Sequence, residues 1–146
     1  MIEADGEIEI GRAPAQVFAW VTDPARAPEW LEGCTELALQ PPGAWGAGAA
    51  LRYAHRLGGH EGRMDGFVTT YEPPRALVMR FADAMFAVTV SLRLHPAGAG
   101  TRVEHAVAIE PKGFAGRLMT PLIRAGSSRQ VLANLARLKR LLEAAG

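Results

Sequence analysis

The feature of this sequence that most constrains its fold is a strict alternation of apolar and polar or small residues between positions 86 and 95. Phe86, Val88, Val90, Leu92 and Leu94 are all separated by single small or polar residues. Successive side chains of a β-strand point to opposite faces of its sheet. The pattern therefore predicts a strand with one apolar face and one polar face.

Further runs of strand length lie along the chain, and clusters of Gly and Pro separate several of them. These runs are residues 3–10, 51–57, 63–71, 77–81 and 103–109. Short connections between such runs predict antiparallel neighbours. The run 63–71 has an irregular pattern, and a β-bulge would place part of it on the opposite face.

Two short helices are predicted after the first strand. Pro14 suits the first position of a helix, where a missing backbone N–H costs nothing. Asp23 followed by Pro24 predicts a cap and the start of a second helix, which runs towards Trp30 and stops near Gly33.

The end of the chain predicts one long helix. From position 114 onward, the strand pattern is absent and apolar residues recur three or four positions apart, or at multiples of that spacing. The predicted apolar stripe consists of Phe114, Leu118, Leu122, Ala125, Leu132, Leu135 and Leu142. Pro121 is expected to kink or interrupt the first third of this helix.

These elements predict an α+β fold. We expect a curved antiparallel sheet of about seven strands, with two short helices after strand 1. The apolar face of such a sheet must be covered by another element. Only the C-terminal helix is long enough to do so, and we expect the sheet to grip it over an internal cavity. The 146 residues fit a single domain spanning 1–146.

Several short motifs carry a resemblance to a known superfamily. They are APAQVFAWVTDP at 13–24, PEW at 28–30, GAG at 46–48, YEPPRAL at 71–77 and GTRV at 100–103. With the leucine-rich terminal helix, they resemble the START-like, helix-grip or Bet v 1-like (SRPBCC) superfamily. The closest group is the polyketide cyclase/dehydrase and lipid-transport group. The superfamily includes lipid carriers, cyclases, coenzyme-Q binders, hormone receptors and chaperone activators, so fold alone does not choose a function.

Charge and composition exclude several classes of protein. A net charge of +1 disfavours general binding to nucleic acid through phosphates. The single cysteine, Cys34, excludes an intramolecular disulfide and a cysteine-based zinc site. No apolar run is long enough to span a membrane, and the acidic N-terminus lacks a signal-peptide core. We therefore expect a cytoplasmic protein, as a monomer or a homodimer.

Two histidines are the candidates for chemistry. His55 and His105 each lie on an otherwise apolar strand face, and Tyr53 shares the face of His55. Such groups could orient a ligand carbonyl or hydroxyl, or transfer a proton. The alternative for each histidine is a hydrogen-bonded place in the core or at a strand end.

Other catalytic arrangements have little support in the sequence. No histidine spacing typical of a metal site occurs, and no cofactor is expected. Ser127 and Ser128 do not lie in a nucleophile-elbow motif, and Cys34 has no adjacent histidine. The arginines of the terminal helix are expected to form its solvated back; the alternative is a basic face for an anionic membrane.

The sequence favours binding or transport of a hydrophobic or amphipathic small molecule in a cavity between the sheet and the C-terminal helix. The predicted cavity residues are Tyr53, His55, Met79, Phe81, Phe86, Val88, Val90, His105, Leu118, Leu122 and Ala125. The main alternative is a polyketide cyclase/dehydrase-like enzyme that uses a cavity histidine as its acid or base. A third alternative is a protein-interaction role, which requires a large exposed apolar patch.

Overall fold

The computed structural model describes residues 1–57 and 59–145, and these form a curved sheet with helices on one side. The strands are β1 (Ile2–Ile10), β2 (Cys34–Leu39), β3 (Ala50–Leu57), β4 (His60–Glu72), β5 (Ala76–Ala82), β6 (Phe86–Ala97) and β7 (Gly100–Pro111). They form one antiparallel sheet in the order β1-β7-β6-β5-β4-β3-β2. The predicted seven-stranded antiparallel sheet is confirmed.

The helices are α1 (Pro14–Val21), α2 (Ala27–Trp30), α3 (Gly113–Leu118) and α4 (Thr120–Ala144). A short 3-10 helix, Pro24–Arg26, precedes α2. The Asp23 carboxylate accepts a hydrogen bond from the backbone N–H of Ala25, so the predicted cap is present. Together with the sheet, the long C-terminal helix gives the α+β helix-grip arrangement.

One face of the sheet holds most of the core. Leu77, Leu92 and Val103 are fully buried on this inner face, whereas Arg80 and Arg93, on the other face, are exposed. The inner face continues from one strand to the next, because paired residues on neighbouring strands point to the same side. The alternation in the sequence therefore identified the core face of these strands correctly.

The irregular strand contains the bulge that its pattern suggested. The pairing of β4 with β5 shifts between Val68, which pairs with Met79, and Thr70, which pairs with Val78. The shift lets both Val68 and Tyr71 lie on the inner face although they are three residues apart. Asp65 lies before the bulge and is exposed.

The long helix predicted from position 114 is two helices. α3 ends at Leu118, and α4 begins at Thr120 with Pro121 in its first turn. Pro121 therefore occupies a helix start, where its missing N–H is tolerated. The interruption predicted at this proline is confirmed.

The predicted apolar stripe is only partly correct. Leu135 and Leu142 are buried, but Phe114, Leu118, Leu122, Ala125 and Leu132 are exposed. The buried face of α4 consists of Ser127, Val131, Asn134, Leu135, Leu138 and Leu142. α4 packs mainly on β1 and also on β7 and α2. The break between the two helices and the fixed position of α3 turn the first leucines of the stripe towards solvent.

Candidate functional site

The inner face of the sheet brings together the strand residues predicted to line a cavity. Phe81 pairs with Val88, and Met79 pairs with Val90. Met79 and Phe81 are buried, whereas Phe86, Val88 and Val90 are half-buried. These five side chains therefore form one continuous apolar surface that runs from the core outward.

The outer part of this surface continues onto the last strand. Val88 pairs with Ile109 and Val90 pairs with Val107, and both partners are half-buried. We call Phe86, Val88, Val90, Val107 and Ile109 the open wall. α4 packs mainly on β1 and less extensively on β7 and α2, and these apolar side chains keep part of their surface exposed to solvent. The sequence placed Val107 and Ile109 on the inner face, but their pairing partners were needed to connect them to Val88 and Val90.

The helical residues predicted for the cavity are in a different position. Leu118 and Leu122 expose 64% and 69% of their surface, and Ala125 is exposed. Contact of these three with a ligand stays a prediction.

A second group of predicted residues lies on the inner face towards the β2 edge of the sheet. The rings of Tyr53 and His55 stack at 5.7 Å between centroids, and Tyr53 also meets Phe81 at 5.3 Å. Both polar rings are half-buried. Burial raises the pKa of the Tyr53 phenol, with a smaller contribution from Cys34, so the phenol stays protonated and can donate a hydrogen bond.

His105 is buried at the centre of the inner face, edge-on to Trp30 with 5.8 Å between ring centroids. Its Nδ1 lies 3.3 Å from the carbonyl oxygen of Ser91, and its Nε2 lies 3.3 Å from Nδ2 of Asn134. A carbonyl only accepts, so Nδ1 carries the proton and Nε2 accepts from the Asn134 amide. Burial lowers the pKa of His105 to about 4, against the opposing effect of the Ser91 carbonyl. The imidazole is therefore neutral at pH 7 and both its nitrogens are engaged.

Asn134 extends this hydrogen-bond network to the end of α2 and the residues that follow it. Its Oδ1 accepts from the backbone N–H of Glu32 at 2.8 Å and from the Arg137 guanidinium at 2.9 Å. Arg137 also donates to the Trp30 carbonyl at 3.2 Å. Asn134 was not predicted from the sequence, although it lies three residues after Val131 and four before Leu138. A polar residue at that spacing on a buried helix face is a recognisable sign of an internal hydrogen bond.

The single cysteine offers little reactivity. Burial raises the pKa of the Cys34 thiol to about 11, so almost no thiolate is present at neutral pH. Within residues 1–57 and 59–145, no group of three or more His, Cys, Asp or Glu side chains could hold a metal ion.

A surface groove of about 870 Å³ lies between the α1–α2 region and β2. Trp45 is part of its lining and stacks on Tyr71, with 6.5 Å between ring centroids. The carboxyl-bearing residues Asp23 and Glu36 also line it. This mixture of apolar and acidic groups suits an apolar ligand less well than the open wall does.

The sequence comparison identifies the family. A family model described as "Polyketide cyclase / dehydrase and lipid transport" matches residues 1–143. The chain belongs to this family. No curated protein matched the sequence significantly. Among the described residues of this family member, no helix is long and apolar enough to cross a membrane.

Solved structures give the same fold. TTHA0849 from Thermus thermophilus is 20% identical, with a TM-score of 0.80 over 99% of both chains. The di-domain ARO/CYC StfQ from the steffimycin biosynthetic pathway is 12% identical, with a TM-score of 0.74 over 98% of this chain and 51% of StfQ. Ara h 8.0201 is 11% identical, with a TM-score of 0.66 over 97% of both chains. These likenesses show that the family member has the helix-grip fold. The resemblance that the sequence motifs implied is confirmed by the family model.

Proposed function

We propose that this protein binds a hydrophobic or amphipathic small molecule, of which lipids are one class, between the inner face of the sheet and α4. The observation that carries the proposal is the open wall. Its five apolar residues lie side by side on two paired strands and are only half-buried. Removing such a surface from water contributes about 25 cal/mol per Å². A ligand that covers the wall therefore gains affinity without displacing any polar partner.

Polar groups on the inner face towards the β2 edge would orient the ligand. The Tyr53 phenol can donate a hydrogen bond, and the half-buried His55 ring lies next to it. A small-molecule site usually has a few polar groups among many apolar ones. His105 contributes to the shape of the site rather than to direct contact, because its nitrogens already bond Ser91 and Asn134.

A matched pair of variants tests the position of the site. Val90→Asp places a carboxylate on the open wall, whereas Thr89→Asp places it on the outer face of the same strand, where the residue is also half-buried. In a titration with the neutral apolar dye Nile red, Val90→Asp should lower affinity by about tenfold or more, because the carboxylate must be desolvated. Thr89→Asp should bind as the wild type does. Equal affinities for wild type and Val90→Asp, with both variants folded, would place dye binding elsewhere.

The second candidate is a cyclase/dehydrase-like reaction. Proton transfer requires a titratable group that can reach the substrate, and the half-buried Tyr53–His55 pair fits that need better than His105 does. His55 would act as the base and Tyr53 as the donor to a carbonyl oxygen. A ligand recovered from the protein with a different mass or a different chromatographic retention time from the one added would favour this candidate, because ring closure without loss of water leaves the mass unchanged. An unchanged ligand favours binding alone.

A further inference from the structure

Basic residues are concentrated in the sequence that runs from the end of β7 through most of α4. Residues 111–142 hold seven of the 16 basic residues and none of the 15 acidic ones, so the segment has a charge of +7 and the rest of the chain −6. Two of these basic residues, Arg129 and Lys139, pair with Glu32 and Glu143, which lie outside this range. Arg117 and Arg124 are exposed, and neither forms an ion pair with any other residue in the described part of the chain.

The same segment presents apolar side chains to solvent. Phe114 is 79% exposed, and Leu118, Met119 and Leu122 are 64%, 39% and 69% exposed. We call these four residues the apolar patch. Most other large apolar side chains of the described residues are buried or half-buried, so this concentration at one helix junction is unusual.

The packing of α3 explains why the patch must face outward. The backbone N–H of Lys112 donates to the Met85 carbonyl at 2.7 Å, and a Cβ added to Gly116 would lie 2.4 Å from the same oxygen. α3 therefore packs closely against the backbone of Met85 through Gly116. Phe114 and Leu118 are each two positions from Gly116, about 200° around the helix, and therefore share the opposite face.

The patch is connected to the open wall through a short stretch of chain. Phe86 of the wall pairs with Pro111, and α3 begins two residues later at Gly113. A surface that contacts the patch would therefore lie near this end of the proposed ligand site.

We propose that the apolar patch and its surrounding arginines dock onto an anionic membrane surface. Apolar side chains interleaved with arginine, and free of carboxylates, are complementary to lipid tails beneath negatively charged headgroups. A second copy of this chain fits less well. A two-fold contact through the patch would bring Arg117 and Arg124 towards their own copies, and like charges repel. The docking goes beyond the proposed ligand binding and does not require it.

Vesicle flotation tests the charge component. Wild-type protein should bind vesicles of phosphatidylcholine mixed with phosphatidylglycerol, bind phosphatidylcholine alone weakly, and be released by added salt. The double variant Arg117→Gln, Arg124→Gln should bind the anionic vesicles about fivefold more weakly per arginine. The control Arg63→Gln, Arg80→Gln removes the same charge from the outer face of the sheet and should bind as the wild type does.

A second pair of variants tests the apolar component. Phe114→Ser with Leu118→Ser should lower binding to anionic vesicles by about tenfold, because both side chains lose their burial in lipid. Phe67→Ser alters an exposed aromatic residue on the outer face of the sheet and should have no effect. Val90→Asp should also bind vesicles normally, which separates docking from the ligand site.

A labelled cysteine gives a direct reading of insertion. Cys34 is buried, and burial raises the pKa of its thiol to about 11. In the Phe114→Cys variant, a polarity-sensitive thiol dye will therefore react at position 114 in preference to Cys34. Its emission should shift to the blue on anionic vesicles, and that of dye on Phe67→Cys should not. Three results would overturn the proposal: no binding of wild type to anionic vesicles, equal losses in the outer-face controls, or a dimer in solution that Phe114→Ser with Leu118→Ser dissociates.

Discussion

At the scale of single residues, the partners of His105 determine what its imidazole can do. The Ser91 carbonyl fixes the proton on Nδ1, and the Asn134 amide occupies Nε2. The sequence showed that His105 shares its face with Val103 and Val107, and its burial on the inner face follows. It could not show that Asn134, 29 positions away, would occupy the second nitrogen. The residue therefore holds α4 against the sheet more directly than it serves a ligand.

The neutral state of His105 predicts a dependence of stability on pH. An unfolded histidine has a pKa near 6.5, whereas burial holds that of His105 at about 4. Between these values the unfolded chain binds a proton and the folded chain does not, so the free energy of unfolding falls as pH falls from about 6.5 to 4. Between pH 7 and pH 4.5 this one group should account for a loss of about 2–3 kcal/mol.

Urea unfolding of wild type and His105→Phe at both pH values measures this contribution. The carboxylates titrate in both proteins, so the difference between the two losses isolates the histidine. The variant should lose about 2–3 kcal/mol less than the wild type. Equal losses would show that the imidazole takes up a proton as easily in the folded protein as in the unfolded one.

At the scale of elements, α4 consists of two parts with different support. From Val131 to Leu142 it buries a side chain every three or four residues, and its last turn is bound to the start of the chain. There Glu143 accepts hydrogen bonds from the backbone N–H of Gly11 and from Lys139, both at 2.8 Å. Between Thr120 and Gly126 no side chain of α4 is fully buried. The Pro121 interruption was predictable from sequence, but the direction of the leucines around it depended on the contact of Gly116 with Met85.

This difference predicts unequal opening of the helix. Backbone amides between 122 and 128 should exchange with solvent about tenfold or more faster than those between 132 and 142, because fewer buried contacts oppose local unfolding. Hydrogen exchange followed by mass spectrometry would resolve the two parts. Similar rates in both would mean that the N-terminal part of α4 is held as firmly as its C-terminal part.

At the scale of the whole molecule, one part of the inner face of the sheet is covered by other elements, and another part is accessible to solvent. Core residues such as Leu77, Leu92 and Val103 are fully buried, while Val88 and Val90 on the same face remain half-buried. The alternation of residues predicted which side chains share this face. It could not predict how far α4 would extend over them, because that depends on the packing of α4 on β1. The fold was therefore predictable from local patterns, and the open part of the site was not.

Native mass spectrometry of protein purified without denaturation tests the proposed ligand site most directly. Wild-type protein should retain a hydrophobic or amphipathic molecule, seen as a mass above that of the chain and released on denaturation. Protein carrying Val90→Asp should retain much less of it, and Thr89→Asp as much as the wild type. Two results would contradict the proposed ligand site: wild-type protein that carries no such molecule, also after incubation with a lipid extract, or full retention of the molecule by Val90→Asp.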